Sequence, residues 1–249
     1  MAGISNNDIK KVKALQQKKF RDESGLFIVE GEKMVQEAIA SPFDVETVYH
    51  KSDIGEEAMK RISALANPSP ALAVVKKPSY TYLHKDEISA TIRNRGLYLA
   101  LDSIRDPGNL GTILRIADWF GVDAVFATND TVDLFNPKVV QATMGAIFRI
   151  KMHYTDLPAA AEAVLAKGGK VYGTFLDGQD MYKKELETGK ESPVMIVIGN
   201  ESEGISKTME AVVSDRLYIP PHPKDSPGSE SLNAAIATAI TVAEFRRRY

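Results

Sequence analysis

The chain has 249 residues, long enough for one large α/β domain or for two smaller ones around a sizeable buried core. Its 31 Lys and Arg residues nearly balance its 33 Asp and Glu residues, giving a formal net charge of −2. This balance excludes a chain coated all over in positive charge but allows a local basic surface. With 44% apolar and 26% charged residues, the composition is that of an ordinary globular protein.

Cysteine is absent, which excludes a disulfide, a thiolate nucleophile, an Fe–S cluster and a zinc site built on cysteines. The four histidines are scattered and lack the spacing that would place two imidazoles on one helical face, so we expect no metal centre. The first residues contain no apolar signal segment, and no run of about 18 apolar residues occurs anywhere. We therefore expect a cytoplasmic protein without a membrane segment.

The N-terminal segment combines a predicted helix with a run of positive charge. Apolar residues at helical spacing, Ile9, Val12 and Leu15, predict a helix over Asn7–Gln17. Between residues 10 and 21 the chain carries six basic residues and no acidic one. These are Lys10, Lys11, Lys13, Lys18, Lys19 and Arg21. Two interpretations stay open: a solvated helix face, or an arm that contacts phosphates.

The remainder of the first 90 residues alternates short strands and helices, with prolines at the joins. The predicted strands are Leu26–Val29, Val45–Tyr49 and Leu72–Val75. The predicted helices are Gly31–Ala40 and Glu56–Leu65. This pattern indicates a small α/β domain, which we place at residues 1–92, followed by a second domain at residues 93–249.

The second domain shows a more regular alternation of strands and helices. The predicted strands are Leu97–Leu101, Ala124–Ala127, Lys170–Phe175, Val194–Ile198 and Arg216–Ile219. The predicted helices are Leu110–Phe120, Asp156–Ala166, Ser206–Val213 and Ser231–Arg248. The nearly continuous apolar character of Val194–Ile198 is typical of a central parallel strand. We therefore expect an α/β fold with a mainly parallel sheet, helices on both faces, and ligands at the carboxyl ends of the strands.

The first of three polar loops after apolar strands is Asp102–Arg115. Asn109 is a plausible helix N-cap, and Gly111 permits close backbone approach. A helix N-terminus with Arg115 nearby would suit an anion such as phosphate. The alternative is structural: Asn109 only caps the helix and Arg115 pairs with Asp118.

The second loop, Ile198–Ser206, has Gly199 and Gly204 at the spacing of a P-loop's two glycines. Ile205 nevertheless occupies the position of the required lysine, and acidic residues including Glu201 would repel a triphosphate. Nucleotide hydrolysis is therefore disfavoured, and a neutral or cationic ligand fits better. A capped loop with exposed acids is the structural alternative.

The third loop, Ile219–Asn233, leads into a helix without charge from Ser231 to Ala243. So apolar a helix must be buried on most of its circumference, against its own sheet or against a second subunit. Ser231 and Asn233 can cap this helix or present a hydroxyl and an amide to a ligand.

In this order, the three loops resemble the three motifs of the SpoU/TrmH family of RNA ribose 2′-O-methyltransferases. The first motif is matched by Asn109, Gly111 and Arg115. The second is matched by Gly199, Asn200, Glu201 and Gly204. The third is matched by Ile219, Pro220, Glu230, Ser231, Leu232 and Asn233. The resemblance covers residues 97–249, and the chain departs from it only in a longer loop between Pro220 and Glu230.

The resemblance implies a SPOUT-type domain with a C-terminal trefoil knot, a homodimer, and S-adenosylmethionine as cofactor. It also implies that the N-terminal domain binds RNA, because the basic start and Phe27–Gly31 look like the family's small RNA-binding domain. It names five catalytic candidates: Arg115, Asn109, Glu201, Ser231 and Asn233. The implied cofactor contacts are Thr174, Phe175, Leu176, Ile198, Gly199, Asn200, Ile219 and Leu232.

Within this implied site, a guanidinium that is nearly always protonated is a poor base, so we expect Arg115 to position phosphate and ribose. Asn109 would orient Arg115, and Glu201 is the candidate proton acceptor or orienting group. Arg115 could act in its own subunit or across the dimer. Ribosomal RNA is the favoured substrate. The alternatives are tRNA, or an RNA-binding or ribosome-assembly protein that keeps the fold without turnover.

Overall fold

The computed structural model describes residues 4–223 and 231–249. The chain divides into two compact units: Met1–Ser79 with Asp133–Arg149, and Tyr80–Val132 with Ile150–Tyr249. The first unit thus includes a segment from the middle of the predicted second domain, whereas residues 80–92 belong to the second unit. The functional boundary after residue 92 stays a prediction.

The structure defines the following helices and strands. The helices are α1 (Asn6–Ala14), α2 (Lys18–Ser24), α3 (Glu32–Ala40), α4 (Lys51–Ile54), α5 (Glu56–Ile62), α6 (Lys85–Thr91), α7 (Pro107–Trp119), α8 (Pro137–Thr143), α9 (Leu157–Ala166), α10 (Lys207–Glu210) and α11 (Ala234–Arg247). The strands are β1 (Leu26–Glu30), β2 (Val45–His50), β3 (Ala71–Lys76), β4 (Gly96–Leu101), β5 (Ala124–Ala127), β6 (Met152–Tyr154), β7 (Lys170–Asp180), β8 (Pro193–Ile198) and β9 (Asp215–Tyr218).

The first unit is built on an antiparallel sheet in the order β1-β3-β2. The apolar residues of α1, α5 and the sheet share one core, which includes Ile9, Met59 and Leu72. The helix predicted over Asn7–Gln17 ends at Ala14. It ends there because the Gln16 side chain donates hydrogen bonds to the backbone carbonyls of the last residue of α5 and of the residue after it, and the chain is extended at the residue after Gln16 before α2 begins.

Arg21 corrects one interpretation of the basic run. Its side chain is 2% exposed, and its Nη2 atom lies 2.6 Å from Oδ2 of Asp133, whose side chain is 5% exposed. Its Nη1 atom donates to the backbone carbonyls of Leu15 and Gln16, both at 2.9 Å. Arg21 is therefore part of a buried ion pair and does not belong to a phosphate-contacting arm.

The other basic residues of the run divide into two groups. On α2, Lys18 and Lys19 each form a salt bridge with an acidic residue one turn further along the helix. The lysines of α1 are exposed and form no salt bridge with any residue in the described ranges. They are Lys10, Lys11 and Lys13. Any phosphate contact by this segment thus depends mainly on α1.

The second unit contains a sheet in the order β6-β5-β4-β8-β7-β9, and every pairing among its described strands is parallel. The mainly parallel α/β fold is therefore confirmed, and β8, which is wholly buried, is a central strand as expected. Successive strand residues point to opposite sides of the sheet, so both of its apolar faces must be covered, and helices cover them. Val171 packs in the core beneath α9, whereas the ring of Tyr172 meets Phe245 of α11.

The charged end of α11 anchors this helix. Hydrogen bonds from Arg247 and then Arg248 outweigh the effect of burial and hold the pKa of Glu244 at about 2. Arg248 also donates to the backbone carbonyls of Met181 and Tyr182.

Within the described ranges, no helix has the length and apolarity needed to span a membrane. The trefoil knot stays a prediction.

Candidate active site

The first two motif loops are fastened to each other where β4 and β8 end. These strands are parallel neighbours, so their following loops leave the sheet at the same edge. Oδ2 of buried Asp102 accepts a hydrogen bond from the backbone N–H of Ser206 at 2.7 Å. Nδ2 of Asn200 donates to the carbonyl oxygen of Ser103 at 2.8 Å. The two loops thus form one rim around the carboxyl edge of the sheet.

Helix α7 begins differently from the prediction. Its N-cap is Asp106, whose Oδ1 accepts the backbone N–H of Asn109 at 2.7 Å, and Pro107 occupies the first helical position. The prediction of Asn109 as the cap is wrong, because Pro at the first helical position continues directly into a helix. The side chain of Asn109 is consequently available for contacts with the other loops.

Asn109 joins all three motifs in one hydrogen-bonded chain. Its Nδ2 donates to Oε1 of Glu201 at 2.6 Å, and its Oδ1 accepts from Nδ2 of Asn233 at 2.8 Å. Oδ1 of Asn233 accepts two backbone N–H groups of α11 and so caps that helix. Segments separated by 92 and 124 residues therefore meet at one point, with a carboxylate at the end of the chain.

The loop after β8 is shaped largely by its own backbone and by Asn200. The N–H and C=O groups of Asn200 and Gly204 exchange hydrogen bonds of 2.9 and 3.0 Å. A Cβ at Gly199 would lie 2.3 Å from the carbonyl carbon of Gly204, so this close approach requires glycine. Oδ1 of Asn200 accepts backbone N–H groups within the loop. The Asn200 amide is thus engaged in holding the loop that carries Glu201.

Arg115 does not join this cluster within one chain. It lies six residues after Asn109 on α7, about 9 Å further along the axis and about 120° around it. Its side chain is exposed and has no hydrogen-bond or ion-pair partner among the described residues. The amide of Asn109 is used by the other two motifs. The structure therefore does not support the expectation that Asn109 orients Arg115 of the same subunit.

The third motif is described only in part. Ser231 is exposed at the start of the described C-terminal range, close to the cap of α11. Pro220 is described and half-buried, whereas Glu230 and most of the long loop, residues 224–230, lie outside the described residues.

The first predicted cofactor contacts lie on an excursion of β7. Thr174 and Gln179 both pair with Leu217 of β9, so the residues between them leave the ladder. The ring of Phe175 packs on Gly173 and is covered by the Arg216 guanidinium, 3.6 Å from the ring centroid. The side chain of Phe175 therefore packs against other residues of the protein, so any cofactor contact at this position would use its backbone.

The excursion also offers groups to a ligand. Leu176 is 71% exposed. Arg216, which packs on the excursion, also binds the carboxylates of Asp177 and Glu210. The hydrogen bond from Arg216 lowers the pKa of Asp177 below its ordinary value.

The other predicted cofactor contacts occupy different positions. The side chain of Ile198 is buried, that of Leu232 is largely exposed, and Gly199 and Ile219 are half-buried at strand ends.

Three supporting residues escaped the sequence analysis. Asp102 was visible as an acid directly after an apolar strand, a signal that could have identified it. Ser103 adopts φ 61°, a left-handed conformation that is uncommon for a non-glycine residue, and nothing in the sequence indicates it. Arg216 could not be linked to Phe175 from the sequence, because the two residues are on different strands.

Comparisons with known proteins match both parts of the chain. Residues 96–243 match the SpoU rRNA methylase family, and residues 6–77 match the MRM3-like substrate binding domain. The 23S rRNA (guanosine(2553)-2′-O)-methyltransferase RlmP of Bacillus subtilis is 32% identical over 97% of this chain and 96% of its own.

Solved structures agree with these matches. A TrmH-family protein from Porphyromonas gingivalis superposes with a TM-score of 0.84 at 36% identity, covering 100% of both chains. An AdoMet-bound rRNA methyltransferase from Sinorhizobium meliloti gives a TM-score of 0.86 at 28% identity, covering 100% of this chain and 97% of that one. The protein described here belongs to the SpoU rRNA methylase family.

Proposed function

We propose that the protein transfers a methyl group from S-adenosylmethionine to a ribose 2′-hydroxyl in ribosomal RNA. The observation that carries this proposal is the hydrogen-bonded chain from Asn233 through Asn109 to Glu201, in a chain that belongs to the family. Relatives named as rRNA methyltransferases favour ribosomal RNA over tRNA. An RNA-binding protein without turnover is the weaker candidate, because Asn109, Glu201 and Asn233 are all present and hydrogen-bonded to one another. We place the protein in the cytoplasm.

The residues at the carboxyl ends of β7, β8 and β9 fit S-adenosylmethionine. When bound, this cofactor supplies an electrophilic methyl group on a sulfonium cation. The loop after β8 contains no lysine for a triphosphate, and its acids favour a cationic ligand over an anionic one. Backbone groups of Thr174, Gly199 and Ile219 would hold its polar parts. The exposed side chain of Leu176 would cover its apolar surface.

Different side chains of the protein would then act on the acceptor, the ribose 2′-hydroxyl. Glu201 has one carboxylate oxygen bound by Asn109, which leaves the other to accept a proton or orient the hydroxyl. Asn233 fixes Asn109 from the opposite side. Arg115 would hold the RNA phosphate and ribose in line with the methyl group, because positioning can supply about 7–11 kcal/mol of acceleration. Ser231 stays a proposed neighbour of this site.

We further propose a homodimer that brings Arg115 of one subunit to the cluster of the other. Arg115 and Trp119 lie four residues apart and so share one face of α7. Trp119 is 85% exposed, and Ile236 on α11 is 51% exposed. Apolar side chains this exposed favour a covering partner. A second copy also explains why Arg115 forms no hydrogen bond or salt bridge with Glu201 of its own chain.

The test is methyl transfer from labelled S-adenosylmethionine to RNA from cells that lack the protein, followed by mapping of 2′-O-methyl positions. We expect label in ribosomal RNA at one or a few riboses that are unmethylated in those cells. Label confined to tRNA would reject the substrate, and the absence of transfer with retained RNA binding would favour the non-catalytic alternative.

Arg216 provides a prediction about cofactor binding. Replacing Arg216 with Met removes the cation that covers Phe175, and the β7 excursion loses its anchor. Because an exposed cation–π contact is weak, we expect the affinity for S-adenosylmethionine to fall only several-fold while RNA affinity stays unchanged. Calorimetric titration measures both.

Arg93→Met is the matched control, because it removes an exposed arginine beside Asp123 at the amino ends of β4 and β5, opposite the carboxyl ends that would hold the cofactor. If Arg216→Met and Arg93→Met bind the cofactor equally well, the excursion does not contribute to the cofactor site.

A further inference from the structure

The first unit contains a groove that the methyl-transfer site does not use. It has a volume of about 590 Å³ and lies between α1, α2 and the edge strand β2. Its floor is apolar and includes Val12, Leu15 and Val74. Phe20 lines the groove and is 37% exposed, although phenylalanine is among the residues most often buried. We call this feature the Phe20 groove.

The Phe20 groove is lined by aromatic, acidic and basic side chains. Tyr49 of β2 lies opposite the helices and packs partly against the core. Burial, followed by the charges of Asp8 and Glu46, raises the pKa of Tyr49, so both carboxylates act on its hydroxyl. Lys10 and Lys11 line the same groove from exposed positions on α1. Aromatic side chains with carboxylates near them therefore adjoin the lysines of α1.

This distribution of charge selects one kind of occupant. The carboxylates of Asp8, Glu23 and Glu46 that line the groove repel phosphate but accept hydrogen bonds from the exocyclic amino groups of adenine, cytosine or guanine. Aromatic side chains stack on any base, and lysines bind the backbone that connects the bases. Single-stranded RNA has this combination: planar bases with amino groups, joined by phosphates that can stay outside the groove.

We infer that the Phe20 groove receives an unstacked nucleobase of the RNA, with the ring of Phe20 stacked on the base and the adjacent phosphates held by Lys10 and Lys11. The inference rests on the proposed function, since it requires RNA as substrate. It assigns to the first unit a base-stacking site in addition to a basic surface. The match of residues 6–77 to a substrate binding domain supports this location.

The experiment uses the full chain and a single-stranded oligoribonucleotide containing 2-aminopurine, whose fluorescence falls when the base stacks. Wild-type protein should quench the fluorescence on binding. A stacked base contributes about 1–3 kcal/mol, so we expect Phe20→Leu to bind about 5- to 150-fold more weakly without quenching, and Phe20→Tyr to retain both. Ile39→Ala, which removes an apolar residue of α3 that is 57% exposed outside the groove, should behave as wild type.

The salt dependence separates the two parts of the site. Phe20→Leu should leave the slope of log affinity against log salt unchanged, because stacking releases no counterions. Lys10→Gln with Lys11→Gln should reduce the slope by about 1.4, which is two contacts of about 0.7 each for a single strand. The matched pair Lys18→Gln with Lys19→Gln should change it less, because both lysines already face acidic residues.

Two outcomes would overturn the inference: Phe20→Leu binding and quenching like wild type, or Phe20→Leu changing the salt slope as the lysine variants do. Either result, obtained with wild-type protein that transfers methyl groups to ribosomal RNA, rejects the groove alone. Failure of the wild-type protein to transfer methyl groups rejects the proposed function instead.

Discussion

Replacing Arg115 with alanine is expected to lower methyl transfer to RNA by about 100- to 1,000-fold, the loss typical for one preorganised group in an active site. The affinity for S-adenosylmethionine should stay within a few-fold of wild type, because Arg115 lies outside the loops that would hold the cofactor. The fold should be unaffected, since the side chain is exposed and has no partner among the described residues. Single-turnover methyl transfer and calorimetric titration measure the two effects.

The charge of Arg115 is not sufficient for this role. A guanidinium can bind a phosphate with two parallel hydrogen bonds, whereas an ammonium cannot, so Arg115→Lys should recover only a minor part of the activity. Arg105→Ala is the control, because Arg105 is an exposed arginine in the loop that precedes α7 and lies beside Asp130. Full activity of Arg115→Ala, or loss of its cofactor binding, would refute the assignment.

Mixed dimers distinguish action within one subunit from action across the dimer. We expect the Arg115→Ala and Glu201→Gln subunits each to have little activity alone. If Arg115 serves the partner's site, a mixed dimer contains one intact site, and random mixing of co-expressed subunits should restore about a quarter of wild-type activity. If Arg115 serves its own subunit, mixing restores nothing. The mixed-dimer experiment therefore tests whether Arg115 acts across the dimer, which a measurement of the oligomeric state alone cannot test.

The sequence predicted those parts of the fold that are encoded in continuous apolar runs. β4, β5 and β8 lie where the apolar segments indicated, because a strand buried on both faces must be apolar throughout. Short elements were missed. The four-residue α4, the seven-residue α6 and α8, and the three-residue β6 contain too few residues for a periodic pattern, and tertiary packing stabilises them.

The active site was predicted as a set of residues but not as an arrangement. The three motifs indicated Asn109, Glu201 and Asn233 individually. The hydrogen bonds between them depend on how β4 and β8 are paired and on where α11 begins, and spacing in one chain cannot indicate either. The same limit explains the misplaced cap: a Pro-Gly pair indicates a turn as readily as a helix start, and only the position of Asp106 decides between them.

The basic run shows the limit of reading charge from sequence. Six positive residues without an acid indicated one exposed surface, yet three of them are paired with acidic residues that follow the run. Arg21 is paired with Asp133, which is 112 residues away. A charge can therefore be assigned to the surface only after its long-range partners are known, and the buried pair has a measurable consequence of its own.

Breaking the Arg21–Asp133 pair is expected to destabilise the protein by about 3–5 kcal/mol, because removing one member leaves an uncompensated charge in the interior. In Arg21→Met, Oδ2 of Asp133 loses both guanidinium hydrogen bonds, and the carbonyls of Leu15 and Gln16 lose their shared donor. The midpoint of thermal unfolding should fall by about 6–20 °C. Denaturant unfolding followed by circular dichroism measures the change in free energy.

The double variant Arg21→Met with Asp133→Leu removes both charges and should recover much of this loss, since a buried pair is often replaceable by apolar residues of similar volume. Lys76→Met is the matched control: it breaks a 2.7 Å pair with Asp44 on the surface of the same unit and should cost far less stability than Arg21→Met, because solvent screens an exposed pair. If Arg21→Met costs no more than Lys76→Met but weakens RNA binding, then Arg21 contacts phosphate and the buried pair contributes nothing. Because the two roles predict opposite results for stability and RNA affinity, one variant measured in both assays decides between them.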